Sequence, residues 1–261
     1  MSPVVSLLLY AGLMAALFVA ERIWPATQAR GEWANNGVAF VLTACGQIVR
    51  ATLLAVLVAT VVNGLGGGLI DLRTWPFWAG ALMWLAAMDL GEYLFHRAQH
   101  AFPWMWAMHS LHHSDRALNF STTQRHFWLE PLIKSVTIWL AVAILFRGDA
   151  AIFGVYALAN FWHLVAHANL RLGFGPFAWL LNSPRYHRLH HSREPGHYNA
   201  NYAALLPIFD VLTGAYRRPA PGEFPETGLD EALESPWDLI IWPVRGVRRW
   251  FAGGKGEAAA P

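Results

Sequence analysis

The run FWAGALMWLAAMDLGEYLFHRAQH, residues 77–100, decides how this chain is read. From Phe77 to Phe95 it is long and apolar enough for a third helix in a membrane-like environment. Its second half carries Asp89 and Glu92 and ends on His96 and His100, which are four residues apart and so share one helical face. An apolar helix therefore delivers a pair of imidazoles at its end, at the membrane boundary.

Three more groups of histidines follow. They read His109-Ser-Leu-His112-His113, His163-Leu-Val-Ala-His167 and His187-Arg-Leu-His190-His191. A lone histidine on an apolar helix is more often a hydrogen-bonded core residue than a ligand. Here ten of the twelve histidines fall into spaced sets, and two of the sets repeat His-x-x-His-His. Imidazole binds iron, zinc, copper and nickel well, and ten ligands exceed what one ion takes, so the spacing predicts two adjacent metal ions.

Composition sets the environment. Among 261 residues, 55% are hydrophobic and only 14% charged, with a mean hydropathy of +0.30. That balance points to a membrane protein. The net charge of +2 is small and its basic residues are scattered, which argues against nucleic acid as a partner. The single cysteine, Cys45, excludes an internal disulfide and a cysteine-based zinc site.

Pro3 to Ala20 is uncharged, and no Lys or Arg precedes it, so it is expected to be a retained transmembrane helix rather than a signal peptide. A second apolar stretch runs from Val38 to Val62, interrupted by Gln47 and Arg50. Arg50 either faces other helices or snorkels from a helix end. Gly64 to Gly68 reads as a turn. Phe102 to Met108, with Trp104 and Trp106, suits an interfacial aromatic belt.

Ser114 to Glu130 is polar. Pro131 to Phe146 and Ala151 to Ala166 are two further apolar segments, joined by a tight link at Arg147-Gly148-Asp149. All four histidine groups then return to one face, which the arginines at 97, 116, 125, 171, 185, 188 and 193 mark as cytoplasmic. Beyond His191 the chain reads as a cap in which Asn201 to Tyr216 returns toward the site. Ser235 to Phe251, with Trp237, Trp242, Trp250, Arg245, Arg248 and Arg249, suits either a helix on a membrane surface or one packed on its own cap. Residues 252–261 read as a disordered tail.

The predicted fold is all-α, with about four to five apolar membrane helices and a histidine-rich helical cap on the cytoplasmic face. Its expected divisions are 1–76 for the first membrane helices, 77–217 for the catalytic domain and 218–261 for an amphipathic segment and tail.

Carboxylate-bridged di-iron bundles use Glu-x-x-His pairs, which are absent here. An all-nitrogen shell still suits iron, and two irons can activate dioxygen beside a lipid-accessible cavity. The order His-x-x-x-His, His-x-x-His-His, His-x-x-x-His, His-x-x-His-His resembles the fatty acid hydroxylase and sterol desaturase superfamily of integral membrane di-iron proteins. The resemblance covers roughly Asp89 to Tyr216. It includes Asp89 through Tyr93 to His96-Arg97, the run His109 to Ser114, Asn119 with Thr123-x-Arg125-His126, Ser183-Pro184 through Ser192, and Asn201-Tyr202 with Asp210 and Gly214. Phe209 and Ala215 stand where that family usually has Trp and Thr, so a superfamily rather than a subfamily is implied.

The resemblance implies that His96, His100, His109, His112, His113, His163, His167, His187, His190 and His191 are ligands of two iron ions, with zinc able to replace iron on purification. Asp89, Asn119, His126, His197 and Asp210, together with Glu92 and Asp115, are candidates to orient those imidazoles. It also implies a lipid substrate and O2, with hydroxylation as the reaction and desaturation as its nearest variant. The chain has no flavin, nicotinamide, haem or ferredoxin fingerprint, so electrons must come from a separate donor, a reductase with a cytochrome or ferredoxin. A histidine-lined metal transport protein, a b-type haem protein and a zinc hydrolase are the alternative classes.

Overall fold

A computed structural model describes residues 3–28, 31–231, 233 and 235–251, and the chain is mostly helical. The predicted tail, 252–261, lies outside the described residues, as do the side chains of Arg248, Arg249 and Trp250.

Helix α1 (Pro3–Ile23) is followed by α2 (Trp33–Leu57), which continues through a π-turn (Val58–Val62) and a 3-10 turn (Asn63–Leu65). Among the described residues Trp33–Leu65 is long and apolar enough to cross a membrane, with a mean hydropathy of 2.0 and little of it buried. Gly66 and Gly67 then turn the chain at φ of 88° and 87°, a left-handed conformation that glycine adopts without steric cost.

Strand β1 (Ile70–Asp71) pairs in parallel with β2 (Phe146–Arg147), a two-residue departure from the all-α expectation. It ties the end of one apolar hairpin to the turn of the next. Helix α3 (Phe77–Ala101) runs through the predicted apolar stretch and includes both histidines at its end. Phe102 leaves helical geometry, and Pro103 at the first helical position starts α4 (Pro103–His113), which carries the second histidine group.

The fourth apolar segment is α5 (Glu130–Lys134), a π-turn (Ser135–Trp139) and α6 (Leu140–Leu145). Asp149 caps α7 (Ala150–Ala159) by accepting from Ala151 N and Ile152 N at 2.9 and 3.0 Å. The stretch expected as one helix to Ala166 breaks after Ala159, and α8 (Trp162–Ala166) restarts it. The remaining helices are α9 (Pro184–His190), α10 (Ile208–Thr213) and α11 (Asp238–Phe251).

Leu72, Trp84, Met88, Phe95, Ile138, Val142, Ile152 and Tyr156 pack α3 against α6 and α7. Ala39, Met108, Leu111, Phe127, Leu239 and Trp242 join α2, α4 and α11. The α11 helix thus docks on the histidine-bearing α4, where Trp242 Nε1 donates to Ser110 Oγ at 2.9 Å. Packing on the rest of the chain is thus met, while Trp237, just before the helix, and Ile241 and Val244 on it stand exposed.

Large apolar side chains also stand exposed along α1, α2 and α3, among them Leu7, Leu8, Val41, Ile48, Trp78 and Leu82. Contiguous exposure of this kind fits association with a membrane. Arg50 lies with its guanidinium 4.9 Å from the Trp139 ring, facing its helical neighbours rather than snorkelling. Two of the arginines used to orient the chain, Arg125 and Arg188, are buried and so carry no information about sidedness.

Candidate metal centre

Nine of the ten box histidines converge in two groups. His96, His100, His109, His113 and His190 form one, and His112, His167, His187 and His191 the other, with ligand atoms within 4.8 Å of one another in each. Helices α3, α4 and α9 feed the first group, while α4, the end of α8 and α9 feed the second. The His-His steps of α4 and α9 split one imidazole to each group. The groups adjoin, with the His113 and His191 rings stacked at 4.4 Å.

His163 stands in neither group; its backbone carbonyl lies 2.8 Å from His167 Nδ1 and accepts from Thr123 Oγ1 at 3.2 Å. A carbonyl only accepts, so His167 carries its proton on Nδ1 and directs a lone pair from Nε2. The same device recurs in the other group. His96 Nδ1 donates to Tyr202 O at 2.7 Å and His190 Nδ1 to Ala200 O at 2.9 Å. Tyr202 lies in the segment expected to return to the site and Ala200 just before it, and the two carbonyls fix tautomers as outer partners of metal ligands do.

The freed nitrogens are what a metal requires. His96 Nε2, His109 Nε2, His113 Nε2 and His190 Nε2 are buried and have no hydrogen-bond partner among the described residues. In the second group His167 Nε2 lies 3.0 Å from both His112 Nε2 and His187 Nε2, and His187 Nε2 lies 3.2 Å from His191 Nε2. The single lone pair of His167 Nε2 cannot fully satisfy both neighbours by hydrogen bonding alone. Two nitrogens held at about 2.0–2.1 Å from one ion lie about 2.9 Å apart when their bonds meet at a right angle, close to the spacing seen. The residues therefore fit a pair of metal ions.

Burial pushes the His112, His113, His187 and His191 imidazoles well below their ordinary pKa, and takes His167 and His190 down to about 3. Neutral imidazole is the metal-binding form.

The other candidates act at a distance. Asp89 accepts from Leu205 N and Leu206 N at 3.0 and 2.9 Å. Asp210 accepts from Tyr202 N and Ala203 N at 3.0 and 2.8 Å and from the Tyr186 hydroxyl. Both thus hold the segment whose carbonyls orient His96 and His190, without touching an imidazole themselves. Asn119 caps the 3-10 turn Phe120–Gln124, accepting from Ser121 N at 3.0 Å. Asp115 accepts from Asn36 Nδ2 and Thr122 Oγ1, beside the fully buried Arg125. Glu92 pairs with Lys134 at 2.5 Å.

His197 lies apart from both groups, its Nδ1 2.8 Å from Ser192 Oγ and its Nε2 3.1 Å from Glu223. His126 stacks flat on His112, 4.4 Å away at 8°.

Two contributors escaped the sequence reading. Trp106, placed in an interfacial belt, is buried with its ring 5.0 Å from His100 and 5.3 Å from His113, while Trp104 is exposed. Glu130 is 2% exposed and gathers with His109 and His126. Spacing gave no signal for this contact, since residues 125–129 lie between the 3-10 turn and α5 and bring His126 back to Glu130, the first residue of α5, outside any helix.

A helical chain with two adjoining all-histidine groups beneath an apolar surface defines a membrane-type protein with histidine clusters able to hold metal. The family model for fatty acid hydroxylase matches residues 81–215, more than half of the chain, and the chain belongs to that family. Alkylglycerol monooxygenase of Xenopus tropicalis is 33% identical over 146 residues, 54% of this chain and 30% of that protein. Ornithine lipid hydroxylase OlsE of Rhizobium tropici is 30% identical over 145 residues, 56% of this chain and 44% of that protein. Very-long-chain aldehyde decarbonylase GL1-6 of Oryza sativa subsp. indica is 24% identical over 204 residues, 70% of this chain and 31% of that protein. The chain spans less than half the length of each of these relatives. No solved structure matches it.

Proposed function

We propose that this chain is a membrane-bound di-iron oxygenase that hydroxylates a C–H bond of a lipid, fatty acyl, sphingoid or sterol-like, using O2 and electrons from a separate reductase with a cytochrome or ferredoxin. The observation that carries the reading is the convergence of five and four buried imidazoles into two adjoining groups. Hydroxylase and monooxygenase relatives of lipid substrates support it.

In this reading His96, His100, His109, His113 and His190 hold one ion, and His112, His167, His187 and His191 the other. His163 supplies the carbonyl that aims His167. Two irons, when bound and reduced, supply the power to break an unactivated C–H bond with dioxygen as oxygen source. The balance is one lipid, one O2, two electrons and two protons giving one hydroxylated lipid and one water. Tyr202 O, Ala200 O and His163 O fix the imidazole tautomers, and burial keeps the ligands neutral.

The lipid chain is assigned to an apolar groove of about 250 Å³. Leu13 of α1, Leu158 and Ala159 of α7, Trp162 and Val165 of α8, and Leu205 are among its walls. It runs along the helix that leads into His167 and past the segment that Asp89 holds.

We also infer a multi-pass arrangement with the histidines on the cytoplasmic side, and the divisions 1–76, 77–217 and 218–261, with residues 224–230 folded back over the second domain. The test is turnover under 18O2 with a lipid extract and a chemical reductant. A lipid product heavier by one 18O atom is expected. A product lighter by two hydrogens without 18O would replace hydroxylation with desaturation, and no lipid product from the metal-loaded protein would contradict the oxygenase reading.

A further inference from the structure

The carboxylate of Glu130 belongs to neither ligand group, yet it faces His109 of the first directly and reaches His112 of the second through His126. It accepts from Gln99 Nε2 at 2.7 Å, between the two histidines of α3, and from Phe127 N at 3.2 Å. Its Oε2 lies 3.3 Å from His126 Nδ1 and 3.7 Å from His109 Nδ1. His126 in turn stacks on His112. His96, His167 and His190 each set their Nδ1 on a backbone carbonyl, but His109 Nδ1 has no hydrogen-bond partner among the described residues, and the group it faces is this carboxylate.

The geometry points to Glu130, with His126, as a positioning bracket: the carboxylate orients His109 in the five-histidine group while the His126 ring braces His112 in the four-histidine group. The proposal rests on the dimetal reading above. A carboxylate behind a ligating imidazole fixes its ring and raises its basicity, and loss of such a partner typically weakens metal binding. Placing one buried anion behind a ligand of one ion, and its histidine neighbour on a ligand of the other, links the two ions through a single residue pair.

The test uses the full chain in detergent, loaded with Co(II) as probe metal. Metal per chain is measured against graded chelator, and the visible Co(II) absorption reads the ligand field. In Glu130→Gln one ion is expected to bind on the order of 10–100-fold more weakly, with its absorption bands shifted and the other ion retained. Glu130→Asp, which restores the charge, should recover part of both. Gln99→Leu removes only the amide contact and should lower thermal stability with both ions still held.

His126→Leu removes the brace on His112 and should weaken the second ion, which keeps the proposal testable if Glu130→Gln fails to fold. Unchanged affinity and spectrum in Glu130→Gln and His126→Leu would overturn it and leave the pair as packing residues. A third ion on the unaltered chain, lost in Glu130→Gln, would overturn it in favour of a direct ligand. No ion on the folded unaltered chain would overturn the dimetal reading itself.

Discussion

His112 and His190 sit in different groups, and each is buried. His112→Ala and His190→Ala should each remove at least one ion and all lipid turnover while the chain still inserts in membranes, as metal analysis of purified variants would show. Full occupancy and turnover in both would contradict the assignment. His197 bonds Ser192 and Glu223 instead, so His197→Ala should keep both metals and lose about 1–3 kcal/mol of stability, read by thermal unfolding. Protonation supplies a further check. His167 and His190 have folded pKa values near 3, below the unfolded value of about 6.5, so the unfolded chain binds more protons in between. Stability of the metal-stripped protein should therefore fall as pH drops from about 6.5 toward 3, by up to about 1.4 kcal/mol per pH unit for each such imidazole. A melting temperature independent of pH across that window would contradict the buried, neutral ligand set.

At the scale of elements, the segment 224–230 closes the site from outside the family match. Ser192 bridges Thr227, Arg193 N donates to Glu226 O at 3.1 Å, and Arg188 Nε donates to Pro225 O at 2.7 Å. Gly228 makes this possible: its φ is 101°, and a Cβ there would fall 2.7 Å from Arg116 Cγ and 2.9 Å from Arg116 Cα. Gly228→Ala should cost about 1–3 kcal/mol through backbone strain alone and lower the temperature at which metal is lost, measured by a melt followed with a metal indicator. An unchanged melt would show that the strap does not brace the site. The histidine periodicity made α3, α4 and α9 legible because three- and four-residue spacing has one meaning on a helix. The strap was not legible, for most of its contacts end on its own backbone carbonyls, those of Pro225, Glu226 and Leu229, which any residue type supplies. Likewise the carbonyls of Ala200, Tyr202 and His163 are available at every residue type, so no sequence marks them as the groups that aim His190, His96 and His167. His163 looked equivalent to His167 because spacing gives the face of a helix but not which imidazole on it reaches the other groups.

For the whole molecule, the apolar composition was legible at once, while the way it is distributed was not. Arg125 and Arg188 counted as surface charge in the sequence, yet both are buried, Arg125 bonding Glu32 at 2.8 Å and Ser114 at 2.8 Å. With α2 exposing Val41, Ile48 and Val49, the protein should remain in the membrane pellet after alkaline carbonate washing, and its release as a soluble species would contradict membrane association. The claim on which everything else depends is the pair of ions. It is tested most directly by the metal-to-protein ratio of the chain purified in mild detergent from iron-replete cells. About two metal ions per chain are expected, iron in the native state or zinc where zinc has displaced it. A folded, metal-resupplied chain that binds none would contradict it.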